Sequence, residues 1–112
     1  QENETQILNV FSDGNIINIY KNTTTDIESF VINIPEQLTV DGSFLYDVSF
    51  KTGATAPSVV QTLHSHTLVW LGTDCELNNN EYVFNPQVNK YYDIMFYYNG
   101  NNFVGLVTGY SL

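Results

Sequence analysis

The residues best suited to metal chemistry lie between His64 and Glu76. His64 and His66 are two positions apart, so on a β-strand both imidazoles would project from one face and could supply two metal ligands. A third ligand would have to come from Asp74, Cys75 or Glu76. No Glu-x-x-His or Cys-x-x-Cys spacing supports such a site, and two histidines on a water-facing strand need no further role. The sequence therefore predicts no metal and no cofactor, with His64 and His66 as the only weak candidates.

Nucleophilic and acid–base catalysis find little support in the same sequence. Cys75 lies between Asp74 and Glu76, whose negative charges disfavour the thiolate that a nucleophilic cysteine needs. No Gly-x-Ser-x-Gly motif is present. The acidic residues concentrate in predicted turns and near the amino end, and so short a chain leaves little room for a cleft that holds a sugar polymer. We therefore predict that the chain is not an enzyme.

The aromatic residues are the best candidates for binding. The chain has eight tyrosines, seven phenylalanines and one tryptophan. Tyr91, Tyr97 and Tyr110 are predicted to share an exposed β face, where rings stack on sugars or anchor a protein interface. The alternative is that another layer covers these rings as a second core face. Trp70 lies within an apolar run and is predicted to be part of the core.

A predicted β-hairpin from Lys90 to Tyr110 would position these tyrosines. Two runs rich in aromatic and β-branched residues flank Asn99–Asn102, where Asn and Gly tolerate the positive φ of a tight turn. With a four-residue loop, Phe96 lies opposite Gly105, so that a large ring covers bare backbone. The face that carries Phe96 is predicted to be core, and the opposite face is predicted to be half-exposed.

The rest of the chain also has the pattern of short strands. A turn at residues 12–15 is predicted to join the first two strands in a hairpin, and residues 21–25 and 72–80 are predicted to be loops. With no helical periodicity anywhere, the sequence predicts an all-β fold, an antiparallel β-sandwich or jelly roll of about eight short strands. The strands predicted before the hairpin are Ile7–Phe11, Ile16–Tyr20, Ile27–Ile34, Ser43–Phe50, Val59–Leu63, Thr67–Leu71 and Glu81–Phe84.

Length, charge and cysteine content restrict the class of protein. A chain of 112 residues fits one domain, which we place at residues 7–112, with residues 1–6 as the end of a linker in a fragment or processed product. Three lysines, no arginine and a formal net charge of −9 argue against nucleic acid and anionic membrane as partners. The single cysteine allows no intrachain disulfide, and no apolar run approaches the ~20 residues of a membrane span.

The carboxy-terminal half contains four motifs in order. They are SFKTGATAP (Ser49 to Pro57), VWLGTDCE (Val69 to Glu76), FNPQVNKYYDIMFYYNG (Phe84 to Gly100) and VTGY (Val107 to Tyr110). Together they resemble a C-terminal module of structural proteins in tailed bacteriophages and prophages, including proteins of tail fibres, baseplates and capsid-attached fibres. The resemblance covers Tyr46 to Tyr110, whereas residues 1–45 match no family pattern.

The resemblance implies a non-enzymatic virion component that is made in the bacterial cytoplasm and displayed on the virion surface for host attachment or assembly. Its implied partners are other virion proteins and copies of itself, with a homotrimer preferred, and a host surface glycan is a further candidate. It implies no catalytic residues. The motif positions Gly53, Pro57, Trp70, Gly72 and Pro86 correspond to turns and core.

Two other functions are compatible with the sequence. A carbohydrate-binding module would use Tyr91, Tyr97 and Tyr110 as its platform. A bacterial surface adhesin domain would require a secretion signal in the full-length gene.

Overall fold

A computed structural model of the chain describes residues 7–10, 17–36 and 45–111, with side chains for 26–36 and 46–111. The prediction of an all-β fold is confirmed, since these residues form strands and turns in a sandwich-like arrangement. The described part of the chain holds no helix long and apolar enough to cross a membrane. The strands are β1 (Ile7–Val10), β2 (Ile17–Asp26), β3 (Ser29–Asn33), β4 (Leu45–Lys51), β5 (Ser58–Thr62), β6 (Leu68–Gly72), β7 (Cys75–Asn78), β8 (Glu81–Phe84), β9 (Lys90–Tyr98) and β10 (Phe103–Ser111).

The described strands form two sheets and a separate ribbon. One sheet has five strands in the order β2-β4-β9-β10-β6, the other has three in the order β1-β3-β5, and β7 pairs with β8. Strand β9 runs antiparallel to both β4 and β10, whereas the β2–β4, β6–β10, β1–β3 and β3–β5 pairs are parallel. The five-stranded sheet is therefore mixed, and the three-stranded sheet is parallel. Turn signals in a sequence report only antiparallel neighbours, because parallel strands are joined through longer crossovers.

The hairpin of β9 and β10 has the predicted register. Phe96 lies opposite Gly105, and the four-residue turn between the strands closes with Asn99 N donating to Asn102 O at 3.0 Å. The Asn99 side chain also accepts hydrogen bonds from the backbone N–H groups of Asn101 at 3.0 Å and Asn102 at 2.8 Å. Gly100 adopts a φ of 100°, which favours glycine at this position. The turn chemistry therefore sets the register of the sheet.

Three local predictions in the first two-thirds of the chain are wrong. The first two strands do not form a hairpin, because β1 belongs to the three-stranded sheet and β2 to the five-stranded one. Residues 21–25 lie inside β2 rather than in a loop. They include three consecutive threonines, whose high β-propensity favours a strand. The predicted loop at residues 72–80 contains strand β7. The predicted turn at residues 12–15 and the predicted linker at residues 1–6 lie outside the described residues.

The core lies between the two sheets and is closed at one side by the β7–β8 ribbon. Trp70 is 1% exposed, which confirms its predicted place in the core. Its ring centroid lies 5.0 Å from that of Phe84, 5.6 Å from Phe96 and 6.2 Å from Phe30. Aromatic rings from both sheets and from the ribbon therefore meet at one tryptophan. The other core side chains are Ile27, Ile32, Ile34, Tyr46, Val48, Phe50, Leu68, Tyr92, Ile94, Phe103 and Val107.

Gly105 allows this packing, and its replacement by alanine is expected to destabilise the fold. A Cβ atom at Gly105 would lie 2.8 Å from two ring carbons of Trp70 and 3.2 Å from a ring carbon of Phe96. Because both rings are enclosed, Gly105→Ala should lower the free energy of unfolding by about 1 to 2 kcal/mol through overpacking. Urea unfolding checks this, with the exposed Thr108→Ala on the same strand as a control that should change stability by no more than about 0.5 kcal/mol. Equal stabilities for the two variants would contradict the packing.

Candidate functional site

The face of the five-stranded sheet that points away from the core carries a group of exposed apolar side chains, which we call the outer patch. Its members are 38% to 58% exposed and comprise Leu71, Tyr91, Met95, Tyr97, Leu106 and Tyr110. The strand register aligns Leu71, Leu106 and Met95 in one row across three neighbouring strands. The half-exposed second face that the sequence predicted is therefore present. Val104 departs from that prediction, since it lies on this face but is only 4% exposed.

Two of the three predicted binding tyrosines lie side by side. Tyr91 and Tyr110 are directly opposite each other on β9 and β10. They line an open cleft of about 390 Å³ with Tyr92, Ser49 and Asp93. In this cleft Ser49 Oγ donates a hydrogen bond to Asp93 Oδ1 at 2.9 Å. The cleft therefore combines two aromatic walls with a hydroxyl and a carboxylate.

Tyr97 lies away from this cleft. It is paired with Val104 near the turn end of the hairpin. Six residues separate it from Tyr91 along β9, which corresponds to about 20 Å at the rise of an extended strand. Tyr97 shares the outer patch with the other two tyrosines, but a single small ligand would not contact all three rings.

The two histidines do not form the predicted pair on a strand. His64 lies in the turn after β5, is exposed, and has a φ of 56°. His66 packs edge-on against Phe103 at a centroid distance of 5.4 Å, and its Nε2 donates a hydrogen bond to the Pro35 carbonyl at 3.0 Å. Within the described residues, no group of three or more His, Cys, Asp or Glu side chains could hold a metal ion. The geometry on which the metal hypothesis depended is therefore wrong.

A partly buried network, which we call the polar cluster, joins loops that are far apart in sequence. It consists of Thr52, Asp74, Gln87, Lys90 and Tyr92. Thr52 Oγ1 donates to the Gln87 carbonyl at 2.7 Å and accepts from Lys90 N at 3.0 Å. The Thr52 N–H also donates to the Lys90 carbonyl at 2.8 Å. These bonds hold the start of the loop after β4 against the start of β9.

Asp74 is the acceptor at the centre of the polar cluster. Its Oδ2 accepts hydrogen bonds from Lys90 Nζ at 2.8 Å and from the Tyr92 hydroxyl at 2.5 Å. The Tyr92 oxygen in turn accepts from Gln87 N at 2.8 Å. Burial opposes ionisation of Asp74, but the hydrogen bonds from Lys90 and Tyr92 and the charge of Lys90 outweigh it, so the pKa of this carboxyl lies below its ordinary value. Asp74 is therefore a fixed anion.

The same surroundings suppress reactivity in the neighbouring groups. Burial, and to a smaller extent the charge of Asp74, raise the pKa of the Cys75 thiol to about 11. The direction of this change is the one that the flanking acidic residues predicted. Burial and the hydrogen bond to the Asp74 carboxylate raise the pKa of the Tyr92 hydroxyl well above its ordinary value. At neutral pH both groups therefore stay protonated, and the polar cluster serves packing between loops.

Only part of the polar cluster could be predicted from the sequence. Asp74 was noticed as a possible metal ligand, but its partners Lys90 and Tyr92 lie 16 and 18 residues away. Thr52 and Gln87 were not predicted as interacting residues at all. One clue in the sequence is the Gly72-Thr73-Asp74 turn composition, because Asp tolerates the positive φ, 59°, that Asp74 adopts.

Comparison with protein-family models, with characterised proteins and with solved structures found no match to this chain.

Proposed function

We propose that the chain is a non-enzymatic structural domain of a bacteriophage virion, in a tail fibre, baseplate or capsid fibre, and that its outer patch mediates assembly. The observation that carries this proposal is the row of Leu71, Leu106 and Met95, which crosses three neighbouring strands before it reaches Asp47 on β4. The outward face of a sheet that met only water would carry polar residues at these positions. We therefore assign the row to contact with protein.

The polar cluster supports a structural role for the motifs that resemble the phage module. Thr52 comes from the first of those motifs, Asp74 from the second, and Gln87, Lys90 and Tyr92 from the third. In the fold these residues contact one another through the hydrogen bonds described above. Together these hydrogen bonds hold three loops in fixed relative positions, as a domain with a structural role requires.

The size of the outer patch is compatible with an interface in a homotrimer or another assembly. Large side chains have about 150–250 Å² each, so the exposed fractions of the six members leave on the order of 500 Å² of apolar surface. That is near the upper end of the largest patch on a typical monomer, about 300–600 Å². It is also more than half of the ~800 Å² that each partner buries in a standard interface.

Gold labelling of phage particles tests the virion assignment and separates it from the adhesin alternative. Antibodies against the domain should decorate tails or capsids on particles purified from a culture that expresses the full-length gene. Pre-absorption of the antibody with the purified domain provides the control. Labelling confined to the bacterial envelope would contradict the virion proposal and support an adhesin.

Sugar binding is a second candidate function, favoured by the cleft between Tyr91 and Tyr110. Aromatic walls beside hydrogen-bonding groups are the common composition of small-ligand sites, and about 390 Å³ is within their usual size range. A single pyranose ring could stack on one tyrosine and bond to Asp93 or Ser49. The surface for assembly and this cleft lie on the same face of the sheet.

Tyr110→Ala is expected to abolish most of any glycan binding, because it removes the more exposed wall of the cleft. The loss should be at least about tenfold in affinity, equivalent to ~1.4 kcal/mol. A glycan array followed by calorimetry on its best ligand measures this. Tyr97→Ala is the matched control and should bind as the unaltered protein does, because Tyr97 lies outside the cleft. Equal losses in both variants would contradict the single-cleft site.

A further inference from the structure

A groove runs along the side of the sandwich between strands β5 and β8, and we call it the side groove. One part is a cleft of about 350 Å³ lined by Val59, Gln61, Val83 and Phe84. A second cleft of about 390 Å³ shares Gln61 and Val83 and continues along the same strands toward Glu81. From the first cleft to the second, residue numbers increase along β5 and decrease along β8. The two strands therefore run antiparallel on opposite sides of the groove without being hydrogen-bonded to each other.

The floor of the side groove is already ordered. The Gln61 side chain accepts a hydrogen bond from Trp70 Nε1 at 2.6 Å, which ties the middle of the groove to the centre of the core. Val59 of β5 and Leu63, which directly follows that strand, also pack against the core. A ligand entering the groove would therefore meet a preformed surface, which reduces the entropy lost on binding.

Among the described strands, β5 is an edge strand of its sheet. Half of its backbone N–H and C=O groups are directed away from β3. Ser58 N donates to Glu28 O, and Thr62 O accepts from Ile34 N, so the even-numbered residues of β5 direct their polar backbone groups toward β3 and its flanks. In a parallel pair, the backbone N–H and C=O groups of the residues in between point to the opposite side of the strand. The N–H and C=O groups of Val59 and Gln61 therefore point away from β3.

Strand β5 lacks the features that usually protect a sheet edge. Its sequence, SVVQT, has no charged residue and no proline, and its register with β3 is regular over all five positions. Val60 is 49% exposed on the face away from the core. Natural edge strands commonly carry lysine, proline or a bulge that prevents pairing with another chain. An edge without them is suited to strand addition.

The charge of the groove selects the kind of partner. Glu81 lies at one end, and the chain as a whole has a formal net charge of −9. Lys51 and Lys90, the two lysines whose side chains the structure describes, are already paired with Asp26 and Asp74. A second copy would bring both of these lysines already paired, whereas a basic segment with a free lysine or arginine would be attracted to Glu81.

We propose that the side groove binds an extended segment of a different polypeptide, which adds to β5 as a strand. The segment carries apolar residues at alternate positions, directed into the cleft beside Val59 and Val83, and a lysine or arginine that meets Glu81. This inference does not depend on the virion proposal, because it uses a different face of the molecule.

The test uses short synthetic peptides of alternating valine and threonine with a lysine at one or the other end. Fluorescence anisotropy should detect binding of at least one of these peptides below about 1 mM, and backbone amide exchange at Val59 and Gln61 should slow on saturation. A matched peptide with a central proline, which cannot complete the hydrogen-bond ladder, should bind at least about tenfold more weakly. Absence of binding by every peptide, or binding without protection at Val59 and Gln61, would overturn the proposal.

Two valine substitutions locate the binding surface. Val83→Phe fills the middle of the groove and should weaken peptide binding at least about tenfold. Val60→Phe makes the same change in size on β5 but points away from the core, so it should leave binding within about twofold. Circular dichroism confirms that both variants are folded, and the exchange measurement on the unaltered protein remains decisive if one is not. Equal binding by the two variants would contradict the groove as the site.

Discussion

Replacing Trp70 with alanine is expected to lower the free energy of unfolding by about 3 to 5 kcal/mol. The indole is 1% exposed and contacts rings from both sheets and from the β7–β8 ribbon. The substitution removes these contacts and leaves a cavity that neighbouring rings can only partly fill. It also leaves the Gln61 side chain without its donor from Trp70 Nε1. A domain of this size has a total stability of about 5 to 15 kcal/mol, so the variant should be close to unfolding.

Urea unfolding followed by far-ultraviolet circular dichroism measures this loss, because the signal does not depend on the tryptophan itself. The control is Tyr82→Ala, which truncates another aromatic residue on a strand but at an exposed position. That variant should lose no more than about 1 kcal/mol. Comparable losses in the two variants would show that the core is not centred on Trp70.

Asp74→Asn is expected to cost about 1 to 3 kcal/mol at neutral pH, because it leaves the Lys90 ammonium and the Tyr92 hydroxyl without their shared anionic acceptor. The effect should depend on pH. The folded-state pKa of Asp74 lies below its ordinary value, so its carboxylate stabilises the fold above the unfolded pKa of about 3.9. That contribution is lost as the pH falls through the folded-state pKa.

Urea midpoints measured at neutral pH and at successively lower pH values test this prediction. The difference in stability between the original protein and Asp74→Asn should be largest at neutral pH and should shrink as the medium becomes more acidic than about pH 4. Glu76→Gln, an exposed carboxylate two residues away, is the control and should have a small effect throughout. A difference that stayed constant down to strongly acidic pH would contradict the role assigned to the Asp74 charge.

The parts of the fold that sequence predicted correctly are those set by local chemistry. The Asn99–Asn102 turn specified the loop length of the hairpin, and that length placed Phe96 opposite Gly105. The predicted strands Ile27–Ile34 and Ser43–Phe50 overlap β3 and β4, on which Phe30 and Val48 are buried. In each case the information lies within a few residues, where the two-residue period of a strand decides which face is buried.

The pairing of distant strands could not be predicted in the same way. The Asp-Gly step at residues 13 and 14 suggested a hairpin, but β1 pairs in parallel with β3 and β2 with β4. Parallel partners are selected by burial of whole faces rather than by a turn motif. The same limit applies to the polar cluster, in which Thr52 and Lys90 meet across 38 residues.

The candidate site was predicted in outline but not in detail. Tyr91, Tyr97 and Tyr110 do share one exposed face, because that follows from the hairpin period. The cleft depends in addition on Ser49, which belongs to a strand whose register with β9 has no local signal. Separation of Tyr97 from the cleft follows from the length of β9.

Sedimentation equilibrium of the purified domain is the most direct test of the claim that the outer patch mediates assembly. We predict a homotrimer at micromolar concentration that Leu106→Glu converts to a monomer, because the substitution places a charge in the middle of the apolar row Leu71–Leu106–Met95. Leu77→Glu, an equivalent change at an exposed leucine on β7, should leave the trimer intact. A monomeric unaltered protein, or a Leu106→Glu variant that remained trimeric, would contradict the account.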